Sequence, residues 1–383
     1  MSELLTYFEG RRQEMIDLLT EMVNYETPTG SKEHVDQLVD FLEKQFNDLQ
    51  PSSLTRIEQA EVGDFLLVKW NEDAPGQPIL FLVHIDTVWP LGTLAERPVT
   101  IDDDGRLFGP GAFDMKGGVT IALSAISGLI ERGELPERPI WFLVNSDEEI
   151  GSGTSTPLIE ELGGQAGLVI VPEPATNSGA MKIWRKGIGI YDVRVKGRAA
   201  HAGNAPEQGI NAVVELAQQI LKINEMNDLR NGTSVSPNVI HGGTARNVIA
   251  PAASLQIDVR CLTMQAMDEI HEKLMNLHPF LPGAEVEVIR SNLRGPMEHN
   301  DLMKATFAQC QQIGERYGIT VRGEGAGGGS DGNTTAVLGI PTLDGIGAQG
   351  DGPHAVHEHV LINSLPQRAT LIAGILQDWV VEK

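Results

Sequence analysis

Acidic and imidazole side chains recur along this 383-residue chain in short sequences suited to holding divalent cations. His84 and Asp86 stand in LFLVHIDTV, Asp114 in GPGAFDMKGG, Glu148 and Glu149 in WFLVNSDEEIGS, Glu173 in LVIVPEP and His354 in GDGPHAVHE. A histidine can ligate a metal through one ring nitrogen while a carboxylate accepts from the other, fixing the tautomer. His84 and Asp86 lie two apart at the end of an apolar run, so they point the same way from a strand. Adjacent carboxylates such as Glu148 and Glu149 repel and need compensation when buried. A divalent cation supplies it, with one Glu as ligand and the other free as general base toward an attacking water. Asp114 has two oxygens and can bridge a pair of ions. Glu173 sits between two prolines after a buried strand, held extended by Pro174.

Each signal alone also fits a plainer role. His84 and Asp86 can satisfy one another, Asp114 can cap a helix, Glu148-Glu149 can be an acidic surface turn, and His354, His357 and His359 can share a solvated loop. What binds them together is the elements that precede them. The runs before His84, Glu148 and Glu173 are short, apolar and rich in β-branched residues, as buried parallel strands are. In an open α/β sheet, ligands bind beyond the carboxyl ends of the strands, so three polar clusters would meet along one rim.

The pattern predicts a helix ending near Tyr25 and a second one, capped by Ser31, to about residue 47. Strands are expected at 64–70, 78–84, 139–145 and 167–171, with a buried helix at 115–131. From about 187 to 290 the order becomes β-α-β-β-α-β, the split-βαβ or ferredoxin-like unit. After 291 the first pattern resumes: helix 301–316, strand 318–322, a glycine-rich turn at 323–332, strand 339–344 and helix 363–380. The fold class is therefore α/β, a doubly wound mixed-sheet catalytic domain (1–176 and 291–383) with a ferredoxin-like domain inserted at 177–290.

Composition narrows the function classes. At 41% hydrophobic residues the chain can bury a large core. No apolar run looks long enough to span a bilayer, and the amino-terminal segment reads as an amphipathic helix, not a signal peptide. Cys261 and Cys310 support no disulfide framework, which fits a reducing cytoplasm. A formal charge of −23 disfavours nucleic acid and anionic membranes as partners.

Taken in order, HxD, GxxDxKGG, DEEIGS and HxxxE resemble the co-catalytic zinc family of exopeptidases and deacylases. That family includes glutamate carboxypeptidase, aminoacylase, acetylornithine deacetylase and succinyl-diaminopimelate desuccinylase, and the resemblance covers nearly the whole chain. It implies two Zn²⁺ per subunit, with Mn²⁺ or Co²⁺ as substitutes. His84, Asp114 and Glu173 would hold one ion and Asp114, Glu149 and His354 the other. Glu148 would be the general base and Asp86 the carboxylate orienting His84. His354 is preferred to His357 because it alone has the HxxxE spacing to Glu358. The resemblance further implies a cis Asp114–Met115 bond and a homodimer through the inserted domain. In that dimer His201, in an HAG loop, would reach from the partner to the oxyanion. Asn247, Arg260, Arg294 and the loop at Gly329 and Ser330 would cradle a substrate carboxylate. Where the glutamate carboxypeptidase branch has a lysine at a fixed distance after its third ligand, this chain offers Lys182, Arg185 and Lys186. The expected activity is release of a C-terminal amino acid from a small peptide. The alternatives are an N-acyl-amino-acid deacylase and a non-catalytic metal-binding scaffold.

Overall fold

The computed structural model describes residues 2–381. They form two compact units, one from residues up to Ile183, His299–Ala326 and Ser330 onward, the other from Trp184–Glu298 with Gly327–Gly329.

In the first unit, among the described residues, an eight-stranded mixed sheet runs Ser53–Ile57, Phe65–Trp70, Ile140–Asn145, Ile79–His84, Leu168–Val171, Thr342–Asp344, Met181–Arg185, Gly323–Ala326. Its four central strands are mutually parallel, and Phe65–Trp70 and Met181–Arg185 flank them antiparallel. Every residue of Ile79–His84 is buried because both sheet faces are covered. Ile79, Phe81 and Val83 pack with residues of helices Glu3–Gly10, Arg12–Val23, Lys32–Asp48, Gly117–Glu131 and Ser364–Asp378. Leu80 and Leu82 point the other way, onto Ile159 and Leu162 of helix Thr156–Gly163. Phe81 and Phe142 stack across neighbouring strands with ring centroids 5.2 Å apart. These parallel strands end on the same side, which brings His84, Asn145 and Val171 to one rim.

The second unit has strand order Ser234–Gly242, Ala252–Cys261, Gly187–Lys196, Glu285–Arg294, all antiparallel. Along the chain its elements alternate β-α-β-β-α-β, with helices Ala212–Asn224 and Met264–Met275 supplying Leu216, Ile223, Ile270 and Leu274 to a core with Tyr191, Val193, Leu255 and Ile257.

Several expectations need correction. The first helix is two, broken at Arg11, whose φ/ψ of −99°/9° is not helical. Ser31 does not cap by its hydroxyl, which instead bonds the His34 ring at 2.9 Å. The strand expected at 318–322 lies later, at Gly323–Ala326 within the glycine-rich run, because Gly318 (φ 77°) turns the chain first. A helix Asp331–Val337 follows that was not foreseen. Ala112–Glu131 proves long and apolar enough to cross a membrane, but it is mostly buried in the protein as a core helix and its entry turn. Cys261 and Cys310 are buried free thiols.

Candidate metal centre

His84 is the last residue of its strand. Its Nδ1 lies 3.1 Å from the Asp86 carbonyl and 3.3 Å from Asp86 Oδ1, which places the ring proton on Nδ1. Nε2 then presents a lone pair, 3.3 Å from Asp114 Oδ1 and 3.4 Å from Glu173 Oε1. Asp86 does more than orient this ring. Its carboxylate also accepts from Thr29 Oγ1 (2.7 Å) and from the backbone N–H groups of Glu148 (3.3 Å) and Glu149 (3.2 Å), so one buried side chain ties the His84 strand to the next strand's end.

Asp114 lies in an irregular turn, Ala112–Lys116, before helix Gly117–Glu131, and its bond to Met115 is cis. One carboxylate oxygen faces each side: Oδ1 toward His84, Oδ2 toward His354 Nε2 at 3.4 Å. Glu149 Oε2 is 3.1 Å from the same His354 nitrogen. Two triads result, His84–Asp114–Glu173 and Asp114–Glu149–His354, and within each triad the ligand atoms lie within 4.8 Å of one another. Of the three neighbouring histidines, His354 (φ 60°) is the one brought to these carboxylates, whereas the His359 ring turns to the His357 carbonyl.

The electrostatics ask for positive charge at both triads. Burial disfavours a charged His84, yet Asp114, Asp86 and Glu173 together raise its pKa well above the usual value. Hydrogen bonding to Asp114 and Glu149 lifts His354 to about 10. Burial would raise Asp114, but His354 and His84 hold it well below the usual carboxylate range. Burial pushes Glu149 up. Two buried atoms, His84 Nε2 and Glu149 Oε1, have no hydrogen-bond partner, one in each triad. Orphaned donor atoms amid carboxylates fit a pair of divalent cations, for which imidazole and carboxylate are suitable ligands.

Glu148 opens a short turn, Glu148–Ile150, beside Glu149, and is in neither triad. Lys182 brings a cation to this centre, its Nζ 3.7 Å from Glu173 Oε2. Lys116 is buried, donates to the Tyr25 carbonyl, and is pushed down to about 7 by burial against the pull of Glu358 and Glu26. Neither Lys116 nor Glu358 was assigned a role from sequence. The signal was Lys116 inside GxxDxKGG and Glu358 inside HxxxE.

The substrate residues named from sequence fare unevenly. In the second unit, exposed His201 accepts from Gly203 N and Asn204 N (both 3.1 Å) at Nδ1, leaving Nε2 as donor. The Asn247 carbonyl accepts from Ala202 N at 3.0 Å, joining the two loops. Arg294 ends its strand. The Gly329 carbonyl accepts from Arg185 Nη1 at 3.0 Å. Arg260 already directs Nε and Nη2 to Asp258 (2.8 and 2.9 Å), two residues away on the same strand face. In the first unit, Ser330 is fully buried, its hydroxyl donating to Asp344 and accepting from Gly332 N as the cap of helix Asp331–Val337. Its hydroxyl therefore serves the fold.

The mixed α/β sheet thus carries, at and beside the ends of its parallel strands, two triads positioned to hold metal. The chain belongs to peptidase family M20/M25/M40, which it matches over residues 80–378. It is 32% identical to carboxypeptidase G2 of Pseudomonas sp. (strain RS-16), over 95% of this chain and 89% of that one. It is 26% identical to succinyl-diaminopimelate desuccinylase of a Nitratiruptor species, over 90% of this chain and 94% of that one. Its fold is shared with a tripeptidase from Staphylococcus aureus (TM-score 0.76, 22% identity, 96% of this chain and 98% of that one). The protein is an enzyme that hydrolyses amide bonds with the help of metal.

Proposed function

We propose that this enzyme is a di-zinc carboxypeptidase that cleaves the amide bond before a C-terminal amino acid. The observation that carries the reading is the pair of triads sharing Asp114, each with an orphaned buried ligand atom, beside a second glutamate that neither triad uses. The likeness to carboxypeptidase G2 supports the choice of substrate class. Bound there, two divalent ions would polarise the scissile carbonyl and make a water more acidic. Glu148 takes the proton of that water and delivers it to the leaving nitrogen. Asp86 keeps His84 in the Nδ1–H tautomer and holds the backbone of Glu148 in place through Oδ1. His201, with Nε2 as its donor, steadies the oxyanion. Arg294, Asn247 and the Gly329 loop receive the substrate carboxylate, joined by Arg260 if it leaves Asp258.

The desuccinylase relative favours a second reading, removal of an acyl group from an N-acyl amino acid. Both readings use the same bond and the same residues. Metal analysis of purified protein with a panel of C-terminal glutamyl dipeptides and N-acyl amino acids separates them. Two zinc ions per chain and preferred cleavage of peptides are expected; preference for N-acetyl or N-succinyl substrates overturns the carboxypeptidase reading.

The same proposal takes residues 177–290 as an inserted ferredoxin-like domain and the protein as a cytoplasmic homodimer that binds neither nucleic acid nor membrane. Exposed Val239 and Ile240 on strand Ser234–Gly242, with Val213, Val214 and Leu221 on helix Ala212–Asn224, support a dimer face. Buried free thiols suit a reducing compartment.

A further inference from the structure

We propose that Glu358 is a positioning residue that sets Asp114 between the two triads; the inference rests on the metal-centre reading above. Glu358 is completely buried. Its Oε1 accepts from the backbone N–H groups of Phe113 and Asp114, both at 3.0 Å. Its Oε2 accepts from Gly111 N at 2.9 Å and from the Trp89 indole at 2.7 Å. Four donors thus fill the four acceptor positions that a carboxylate offers.

The turn bonds within itself at Ala112 N to Gly109 O (3.2 Å) and Lys116 N to Gly111 O (3.1 Å). Asp114 (φ/ψ −113°/99°) and Met115 (−124°/29°) are not helical, however, and the amides of Gly111, Phe113 and Asp114 take their partners from outside the turn. Glu358 supplies those partners from another part of the chain, four residues beyond His354. A turn from Ala355 to Glu358 (Glu358 N to Ala355 O, 2.9 Å) and the pairing of His359–Leu361 with Arg106–Phe108 fix the carboxylate on its own side. The same side chain therefore joins the loop of one ligand, His354, to the turn of the shared ligand, Asp114. The four-residue spacing is what lets one short loop present both.

Glu358→Gln keeps volume and shape but not this function. Its single carbonyl oxygen can serve Phe113 and Asp114 or Gly111 and Trp89, and its NH₂ then confronts two donors. The Asp114 turn must loosen at one end, so the bridge fails while the core survives.

The test is titration of the metal-free wild type and Glu358→Gln with Co²⁺, followed by visible absorption, electron paramagnetic resonance and thermal melting. Wild type should take up two ions whose resonance is attenuated by coupling through a shared carboxylate. Glu358→Gln should still melt cooperatively, bind the second ion at least tenfold more weakly and show uncoupled Co²⁺. Trp89→Phe, which removes one donor but neither bond at Oε1, should keep the coupling. A merely structural role would lower the melting temperature and leave the coupling of bound ions intact. Glu358→Gln with two ions at wild-type affinity and a coupled spectrum overturns this inference alone. Wild type that takes up no second ion overturns the metal-centre reading and the inference together. Should Glu358→Gln not fold, Glu358→Asp carries the same test, because a carboxylate one methylene shorter cannot reach both pairs.

Discussion

Replacing Gly118 with alanine puts a Cβ 1.7 Å from the Pro172 carbonyl oxygen and 2.8 Å from its carbonyl carbon. Ordinary contact begins near 3.4 Å, so about 1.7 Å of separation must be found between two backbones. Helix Gly117–Glu131 has little room to give it, being buried along most of its length. The Pro172–Glu173 segment is confined as well: a Cβ on Gly347 would lie 2.0 Å from the same oxygen, and Gly347 N donates to the Glu173 carbonyl at 2.9 Å. Whatever moves carries Asp114 or Glu173 with it. Metal–ligand distances tolerate shifts of only about 0.2 Å, so a tenth of the required displacement already matters. Over-packing where side chains can yield costs roughly 1–3 kcal/mol; here the obstacle is backbone, so the cost lies at or above the top of that range, against the about 1 kcal/mol that alanine returns in a helix. Gly118→Ala should therefore melt clearly below wild type and, at temperatures where it is folded, lose metal affinity at His84–Asp114–Glu173. The loss should be no smaller than the roughly 10–100-fold that changes in a ligand's hydrogen-bond partners cost. Competition titration against a chromophoric chelator measures it. Gly153→Ala is the control, since no heavy atom lies within 4 Å of its added Cβ although it closely follows Glu149. Two ions bound by Gly118→Ala at wild-type affinity would refute the reasoning.

Glu148→Gln should lower kcat by about 10²–10⁴ with metal content unchanged, because Glu148 belongs to neither triad; near-normal turnover at saturating substrate sinks its assignment as base. His354→Ala should lose occupancy at one triad while His357→Ala keeps it, and the reverse pattern from metal analysis would show that the wrong imidazole was chosen. Burial works to raise the Asp64 carboxyl, but Lys32, the Gln59 amide and Arg56 hold it below its usual 3.8. A folded-state pKa below the unfolded one stabilises above the unfolded value and is lost as pH falls through the folded value. Asp64→Asn should thus lower the melting temperature at neutral pH, with the difference from wild type shrinking below about pH 4; a constant difference argues against the ion pairs. Mixing His201→Ala with Glu148→Ala chains should restore activity in heterodimers, which then contain one site with neither lesion; mixed dimers without activity would place His201 in its own subunit's chemistry or outside the reaction.

The strands that lead to the centre are legible in sequence because their cause is local. LFLVH, WFLVN and LVIV are apolar on both faces and too short for a typical helix, which fits strands covered on both sides; paired in parallel, they end at residues 84, 145 and 171 on one rim. The liganding residues follow from type and order: imidazole and carboxylates just past those ends, with a spare glutamate next to one of them. What the sequence leaves open is everything settled between distant segments. Glu358 is one acid among many until the fold brings Gly111, Phe113, Asp114 and Trp89 to it from well over two hundred residues away. Asp86 reads as a partner for one histidine, and only the adjacency of two strands lets it hold Glu148 and Glu149 as well. Ser330 looked available in a glycine-rich loop until a helix began at Asp331, turning its hydroxyl inward to Asp344. Periodicity and residue type act over a few neighbours and can be read from the chain. Hydrogen bonds between groups that are not neighbours in sequence, from 14 residues apart at Ser330 and Asp344 to 269 at Trp89 and Glu358, depend on which backbones meet, and only the tertiary structure decides that.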